Sequence, residues 1–318
     1  AFAEYQPDAI LVLGDRYELL GICSAAVLMR IPIVHLHGGE ITEGAVDEMI
    51  RHAVTKMAAL HFVAAEPYRQ RVIQMGERPD RVFNVGAAGL DVMNHISFLP
   101  RDHLEQDLNV TLTAPVLLVT YHPVTRHRLQ PSTDEQNSKI VDRGLQALFA
   151  ALEALGDATV IWTGANTDSG GQAVNEAVQA WSKQTSMTVK VLTSLGIQRY
   201  LSLMSYCDAV VGNSSSGLIE APAMGVPTVN IGDRQKGRLR APSVLDCDAE
   251  ASAIEMALRQ AFTPAFKQLA AEKPSVYGHG QTAETIVQLL RRFLRESATD
   301  LSVKPFYDLA VASREGIS

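Results

Sequence analysis

Short apolar runs alternate with segments of helical periodicity along almost the whole chain, and this alternation constrains the fold more than any other feature. Residues 8–13 (DAILVL) form an almost continuous apolar run, which is typical of a strand buried on both faces of a sheet. Residues 17–29 have helical periodicity, and residues 31–36 (IPIVHL) are the next apolar run. Such repeats predict parallel βαβ units.

The alternation lapses once, in a polar stretch from about residue 100 to residue 115, which we interpret as a linker. The sequence therefore predicts an α/β protein with two Rossmann-like, doubly wound domains that face a cleft. Residues 1–100 are the N-terminal domain, and residues 115–280 are the C-terminal, nucleotide-binding domain. Residues 281–318 are a C-terminal helix and tail that pack back on the first domain.

Composition and charge exclude several classes of protein. The 318 residues are 47% apolar and 20% charged, as in soluble globular proteins. A net charge of −7 argues against nucleic acid or an anionic membrane as the main partner. The three cysteines are unpatterned, and no apolar run approaches the roughly 18 residues of a membrane helix. We expect a cytoplasmic protein.

The stretch of residues 211–240 carries the clearest binding signal. Its Gly- and Ser-rich turn, residues 212–217 (GNSSSG), separates an apolar strand from a helical segment. Free backbone N–H groups, the helix dipole and serine hydroxyls suit an anion, and Glu220 suits a ribose diol. The basic residues that follow are Arg234, Lys236, Arg238 and Arg240. The stretch fits either a nucleotide diphosphate or a serine-capped helix with a solvated basic loop.

Several polar residues follow the predicted strands of the first domain, at the edge where open α/β sheets bind ligands. They are Asp15, Arg16, His35, His37, Glu40 and, at a helix start, Asp47. Carboxyl groups that share a cleft push each other's pKa values apart, which provides one base and one acid. Two alternatives stay open: Asp47 as a helix N-cap, and Asp15 with Arg16 as a local ion pair.

Histidines also lie at strand ends. His35 and His37 share a strand face while Glu40 lies beyond two glycines, so we predict no metal site. In the second domain, His122 (in YHP) is predicted to contact a ligand phosphate or leaving group. Asn166 (in GANTDSGG) is either a ligand contact or a turn-forming residue.

Five motifs together resemble one enzyme family. They are GDRYE (14–18), HLHGGEITEGAVDEMIRHAVTKM (35–57), YHPVT (121–125), GNSSSGLIE (212–220) and NIGDRQKGR (230–238). In order and in spacing, over nearly the whole chain, they are similar to the hydrolysing UDP-N-acetylglucosamine 2-epimerases of bacterial sialic acid synthesis.

The resemblance implies a glycosyltransferase-B-like fold and a reaction. UDP-N-acetylglucosamine and water would give N-acetylmannosamine and UDP, by anti elimination to 2-acetamidoglucal and then hydration. The resemblance implies no NAD or other cofactor and no catalytic metal. It also implies a homo-oligomer (dimer or tetramer). The implied catalytic residues are Asp15, Glu40, Asp47 and His122. The implied substrate-binding residues are Arg16, His37, Asn166, Ser214, Ser215, Gly217, Glu220, Arg234 and Arg238.

The chain departs from the family in two ways. The resemblance implies that roughly two βα units precede residue 1, so we expect an incomplete first sheet with an exposed edge, and an isolated chain that is unstable or inactive. His37 stands where the animal enzyme has a glutamate.

Four alternative functions remain. They are the same reaction on UDP-N,N′-diacetylbacillosamine, a non-hydrolysing 2-epimerase, a glycosyltransferase of this fold, and a nucleotide-sugar-binding module without turnover.

Overall fold

The structure is a computed structural model that describes residues 2–41, 46–123, 134–165, 170–296 and 303–309. The chain divides into two compact units. Unit 1 comprises Ala1–Asp91 and Tyr277–Ser318, and unit 2 comprises Val92–Val276. No helix in the described part of the chain is long and apolar enough to cross a membrane.

Unit 1 contains a four-stranded parallel sheet whose spatial order follows the chain. Its strands are β1 (Ile10–Leu13), β2 (Ile33–Leu36), β3 (Leu60–Val63) and β4 (Val82–Asn84). Its first helices are α1 (Phe2–Tyr5), α2 (Glu18–Leu28), α3 (Val46–Met57) and α4 (Glu66–Gln74). Because all four strands run the same way, their carboxyl ends lie at one edge of the sheet. Strand β1 is at one side of the sheet, and Leu11 and Leu13 are more than half exposed.

Helix α3 positions the polar residues of unit 1. Ile50, Val54 and Ala58 recur at a spacing of four residues and pack against Val12 and Ile33. This burial fixes the rotation of the helix.

Unit 2 contains a six-stranded parallel sheet with the order β10-β9-β8-β5-β6-β7. Its strands are β5 (Val116–Thr120), β6 (Thr159–Thr163), β7 (Thr188–Leu192), β8 (Ala209–Gly212), β9 (Thr228–Ile231) and β10 (Val244–Cys247). Its helices are α5 (Arg101–Leu108), α6 (Asp134–Leu155), α7 (Gly171–Ser182), α8 (Gly196–Met204), α9 (Ser216–Met224), α10 (Ala251–Ala261) and α11 (Pro264–Ala271). The strand order reverses between β5 and β8, which makes their carboxyl ends the topological switch point where such sheets bind ligands.

The core of unit 2 lies on both faces of its sheet, because alternate residues of the central strands point to opposite sides. Leu117 and Val119 of β5 pack into a cluster with Trp162. Leu118 and Ile161 point into a second cluster. The apolar runs of the sequence are continuous because both faces of this sheet are buried.

Three elements of unit 2 differ from the sequence-based expectation. Helix α5 lies in the polar stretch interpreted as a linker, because Leu104 and Leu108, four residues apart, are buried. Strand β10 is short and only half-buried, and it pairs with β9 alone. Helix α11 begins after Thr263, whose side chain caps it by accepting a hydrogen bond from the Phe266 N–H.

The chain returns to unit 1 through a final helix, α12 (Thr282–Glu296). Asp91 caps this helix: its Oδ1 accepts from the Thr282 N–H at 2.8 Å and its Oδ2 from the Ala283 N–H at 2.5 Å. Ile286 then packs against Phe62 of the first sheet. Residues 303–309 are also part of unit 1.

Candidate active site

A buried arginine gathers the carboxylates of unit 1. The Arg51 side chain is 1% exposed and donates to the Asp15 carboxylate. It also donates to Glu48 Oε2 at 3.0 Å and to the backbone carbonyl of Glu40 at 2.8 Å. The turn after β1 and the segment after β2 are therefore both tied to helix α3, and the charge of Arg51 offsets the carboxylates around it.

Asp47, in the first turn of α3, has a perturbed pKa. Partial burial raises the pKa of Asp47, the charge of Asp15 raises it further, and Arg51 opposes both effects. Asp47 stays accessible to solvent, whereas Asp15 is ion-paired with Arg51. The environment of Asp47 thus resembles that of a catalytic carboxyl group whose pKa is raised by burial and by a neighbouring carboxylate.

The two histidines near β2 have separate partners. His37 has a left-handed backbone (φ 62°), and its Nδ1 lies 2.7 Å from Glu40 Oε1. Burial lowers the pKa of His35 to about 4, so its ring is neutral. His35 Nε2 lies 2.8 Å from the Gly14 carbonyl and Nδ1 lies 3.3 Å from Thr55 Oγ1. Within the described ranges, no group of three or more His, Cys, Asp or Glu residues could hold a metal ion.

Asn213 joins three loops at the switch point of unit 2. Its side chain accepts from the His122 N–H at 2.7 Å and donates to the His122 carbonyl at 2.8 Å, which links the ends of β5 and β8. Its own carbonyl accepts from Arg234 Nη1 at 3.1 Å and Gln235 Nε2 at 2.9 Å. The basic loop after β9 is therefore anchored beside the start of helix α9.

The turn between β8 and α9 has the geometry of an anion site. Ser214 and Ser215 lie between the strand and the first helical residue, Ser216. Their hydroxyls, the N–H groups of the first turn and the helix dipole all favour a negatively charged ligand. Gly217 serves packing, because an added Cβ would lie 2.8 Å from Thr228 Cγ2.

Glu220 lies one turn into α9, with an unsatisfied carboxyl oxygen. Burial raises its pKa to about 7, against a hydrogen bond from Ser216 and the charge of Arg238. Among the described residues, Oε2 of Glu220 has no hydrogen-bond partner. A buried acceptor left unpaired is costly, so this oxygen is suited to a donor hydroxyl from a ligand.

A known protein family matches the amino-acid sequence over most of the chain. The sequence profile of the family described as UDP-N-acetylglucosamine 2-epimerase (Epimerase_2) matches residues 1–291. The chain belongs to the UDP-N-acetylglucosamine 2-epimerase family.

Three proteins with descriptive names are similar to this chain in sequence. The chain is 41% identical to the GDP/UDP-N,N′-diacetylbacillosamine 2-epimerase (hydrolyzing) of Campylobacter jejuni, over 84% of this chain and 67% of that protein. It is 36% identical to the UDP-N,N′-diacetylbacillosamine 2-epimerase (hydrolyzing) of Legionella pneumophila, over 91% and 72%. It is 35% identical to the polysialic acid biosynthesis protein P7 of Escherichia coli, over 97% and 75%.

Solved structures of the epimerase family share the fold. A UDP-N-acetylglucosamine 2-epimerase from Listeria monocytogenes superposes with a TM-score of 0.76 at 17% identity, over 97% of this chain and 78% of that one. The enzyme from Neisseria meningitidis, bound to UDP-GlcNAc, gives 0.74 at 19% identity, over 92% and 78%. The predicted α/β fold with two parallel sheets, glycosyltransferase-B-like, is confirmed.

The structure brings together most of the residues predicted in unit 1. Asp15 contacts Arg51 directly, Glu40 contacts it through its backbone, and Asp47 lies one helical turn before it. Arg16 does not join them: it is exposed and pairs with Glu18 at 2.6 Å. The alternative of a local ion pair between Asp15 and Arg16 is therefore wrong.

Asp47 also differs from the N-cap alternative. Helix α3 begins at Val46, so Asp47 lies in its first turn rather than before it.

The residues predicted in unit 2 surround the switch point. His122, Ser214 and Ser215 follow β5 and β8, while Arg234 and Arg238 lie on the loop after β9. Asn166 lies outside the described residues. The catalytic and binding roles of all these residues stay predictions.

Sequence reasoning missed Arg51, Glu48, Asn213 and Gln235. Arg51 follows Ile50 but projects about 100° away from the line of Ile50, Val54 and Ala58, so the helical pattern did not mark it as buried. The role of Asn213 depends on a neighbouring strand 91 residues earlier in the chain, and local sequence does not carry it.

Proposed function

We propose that the protein is a hydrolysing 2-epimerase of UDP-linked 2-acetamido sugars. The observation that carries the proposal is the group of carboxylates held around the buried Arg51. A carboxylate removes the C2 proton, the C1–O bond breaks, and UDP leaves with the bonding electrons to give a 2-acetamidoglucal. Water then adds a hydroxyl to C1 and a proton to C2 with inverted configuration.

Unit 1 supplies the proton transfers in this proposal. Asp15, Glu40 and Asp47 are the acid/base carboxyls. The raised pKa of Asp47 makes it the group best suited to carry a proton. The guanidinium of Arg51 donates to the Asp15 carboxylate and holds it in place beside Asp47.

Unit 2 binds the nucleotide in this proposal. The first turn of α9, the hydroxyls of Ser214 and Ser215 and the guanidinium of Arg234 neutralise the diphosphate, whose charge grows as the C1–O bond breaks. Glu220 accepts a hydrogen bond from the ribose diol through its unsatisfied Oε2. His122, after β5, contacts the leaving group.

The names of the relatives support UDP-N,N′-diacetylbacillosamine as the first candidate substrate, since the relatives at 41% and 36% identity bear it in their names. This reverses the order expected from the sequence. UDP-N-acetylglucosamine is the second candidate, supported by the relative named for polysialic acid biosynthesis at 35% identity. The cytoplasmic location and the homo-oligomeric state stay predictions.

Proton NMR in deuterated water tests the proposal. The full-length protein is incubated separately with each UDP-sugar and with the GDP form of the diacetylated sugar. We expect a free 2-epimeric sugar deuterated at C2, together with released nucleotide. Asp15→Asn should abolish turnover and leave UDP binding intact, whereas Arg234→Ala should weaken UDP binding first.

Other products would contradict the proposal. An epimerised sugar that remains linked to UDP indicates a non-hydrolysing epimerase. Turnover that requires an acceptor indicates a glycosyltransferase. UDP binding without turnover of any of the three sugars indicates a binding module.

A further inference from the structure

We propose that the tail segment, residues 303–309, clamps the C-terminal end of helix α3, and that Lys304 is a positioning residue for the carboxylates around Arg51. The clamp itself is independent of the proposed function. Its effect on turnover rests on that function.

Lys304 binds the last carbonyls of α3. Its ammonium donates to the carbonyl of Thr55 at 3.0 Å and to that of Ala58, just beyond the helix, at 2.5 Å. The Thr55 carbonyl also accepts from the Ala58 N–H at 3.3 Å, and the last carbonyls of a helix carry the negative end of its dipole. A cation that is only 22% exposed therefore sits where helix geometry favours it.

The same ammonium completes a buried charge cluster. Glu77, 4% exposed, accepts from Lys304 at 2.8 Å, from Lys56 at 2.6 Å and from His61 Nε2 at 3.0 Å. Burial by itself raises the pKa of Glu77, but hydrogen bonds from these three residues outweigh it and lower the pKa to about 2. The ionised Glu77 thus bridges Lys56, on the last turn of α3, to the tail segment.

Two further contacts fix the tail segment beside this cluster. The Tyr307 N–H donates to the Gly76 carbonyl at 3.0 Å. The Phe306 ring lies 4.9 Å from the Lys56 ammonium and covers Gly76. Gly76 has φ +85°, and an added Cβ would collide with that ring. Three residues of the tail segment therefore anchor at one place in unit 1.

The clamped end of α3 leads to the proposed acid/base groups. Thr55 lies one turn after Arg51 on the same face of the helix. The Thr55 hydroxyl contacts His35 at 3.3 Å, and His35 contacts the Gly14 carbonyl, next to Asp15, at 2.8 Å. A shift of α3 along its axis would therefore displace Asp15 relative to its partners. A misplacement of about 1 Å can lower a rate roughly 100-fold.

The test compares Lys304→Met with Lys267→Met, a matched control in unit 2. Lys267 also pairs with a carboxylate, that of Asp208, at 2.5 Å, but its side chain is 42% exposed and lies in the other unit. For Lys304→Met we expect kcat to fall roughly 10- to 100-fold, with the UDP Kd changed less than about twofold. Hydrogen exchange in residues 46–57 should speed up, and the control should show neither effect.

A second variant tests the clamp even if the Lys304→Met protein misfolds. Phe306→Ala keeps every charge of the cluster and removes only an aromatic ring, from a residue that is 65% exposed. We expect a smaller loss of kcat in the same direction, with faster exchange confined to residues 46–57.

Two results would overturn the clamp. One is a Lys304→Met protein with unchanged kcat and unchanged exchange in residues 46–57. The other is a parallel fall of kcat and UDP affinity with faster exchange in both units, which would mean general destabilisation. If the unsubstituted protein turns over none of the UDP-sugars, the proposed function is wrong. The rate of hydrogen exchange in residues 46–57 of the Lys304→Met protein then tests the clamp by itself.

Discussion

Replacing Arg51 with methionine tests the account of the carboxylate cluster most directly. Methionine has a similar volume and keeps helical propensity, so the change removes hydrogen bonds and charge rather than packing. It leaves Asp15 and Glu48 without their buried cation and the Glu40 carbonyl without that donor.

The expected loss of stability follows from the burial of these partners. Removing one member of a buried ion pair costs about 3–5 kcal/mol when the other charge has no access to water. The side chains of Asp15 and Glu48 are 29% and 23% exposed, so water solvates them in part. We therefore expect Arg51→Met to lower the free energy of unfolding by about 3 kcal/mol, at the low end of that range.

Urea unfolding followed by two signals measures this loss. Both tryptophans, Trp162 and Trp181, lie in unit 2, so their fluorescence follows unit 2, while far-UV circular dichroism follows both units. We expect an earlier transition by circular dichroism and a fluorescence midpoint that moves much less. Arg16→Met is the matched control, because Arg16 makes an exposed ion pair with Glu18, and we expect it to change neither signal.

A double variant separates charge from packing. Asp15→Asn combined with Arg51→Met removes a carboxylate that has lost its partner, and we expect about 1–2 kcal/mol of the loss to be recovered. Recovery of none of it, or an Arg51→Met protein as stable as the Arg16→Met control, would refute the reasoning.

Two further changes test unit 2. Burial raises the pKa of Glu220 from 4.5 to about 7, so the folded state holds the proton more tightly and stability falls as pH rises through this window. Glu220→Gln should flatten that dependence between pH 5 and pH 8 in urea unfolding, and the exposed Glu284→Gln should not; an unchanged slope in Glu220→Gln would contradict the assignment. Gly212 has φ +129°, and an added Cβ would clash with the Thr120 carbonyl, so Gly212→Ala should cost more than about 3 kcal/mol in thermal unfolding. Gly156 has φ +85° with nothing within 4 Å, so Gly156→Ala should cost only about 1–2 kcal/mol, and equal losses would mean that the clash does not decide the outcome.

The candidate site could be predicted in outline because parallel sheets place the ends of their strands at one edge. Asp15 and His122 directly follow apolar runs, so their position was readable from the sequence. The contacts that each residue makes could not be read from the sequence. Arg16 was expected beside a substrate and pairs with Glu18, while Arg51, which sequence reasoning missed, pairs with Asp15. Adjacent residues in a turn point in different directions, and the sequence does not say which one meets the helix.

Short or half-buried elements were missed for a related reason. Helix α5 has only two buried leucines in a polar stretch, and β10 is a half-buried edge strand, so neither has a strong periodic signal. Both are stabilised by neighbours distant in the chain: α5 packs against α8, and β10 pairs with β9.

The sequence by itself determined the α/β class, the parallel sheets, the strand-end positions of the polar residues and the family. Each of these depends on local patterns: apolar runs, helical periodicity and motifs of consecutive residues. Only the tertiary structure decided which charges pair, that Asn213 links β5 to β8, and that Lys304 reaches the end of α3, 246 residues earlier in the chain. Such contacts depend on where folding places distant segments, and a burial cost that only a specific partner can offset has no local signature.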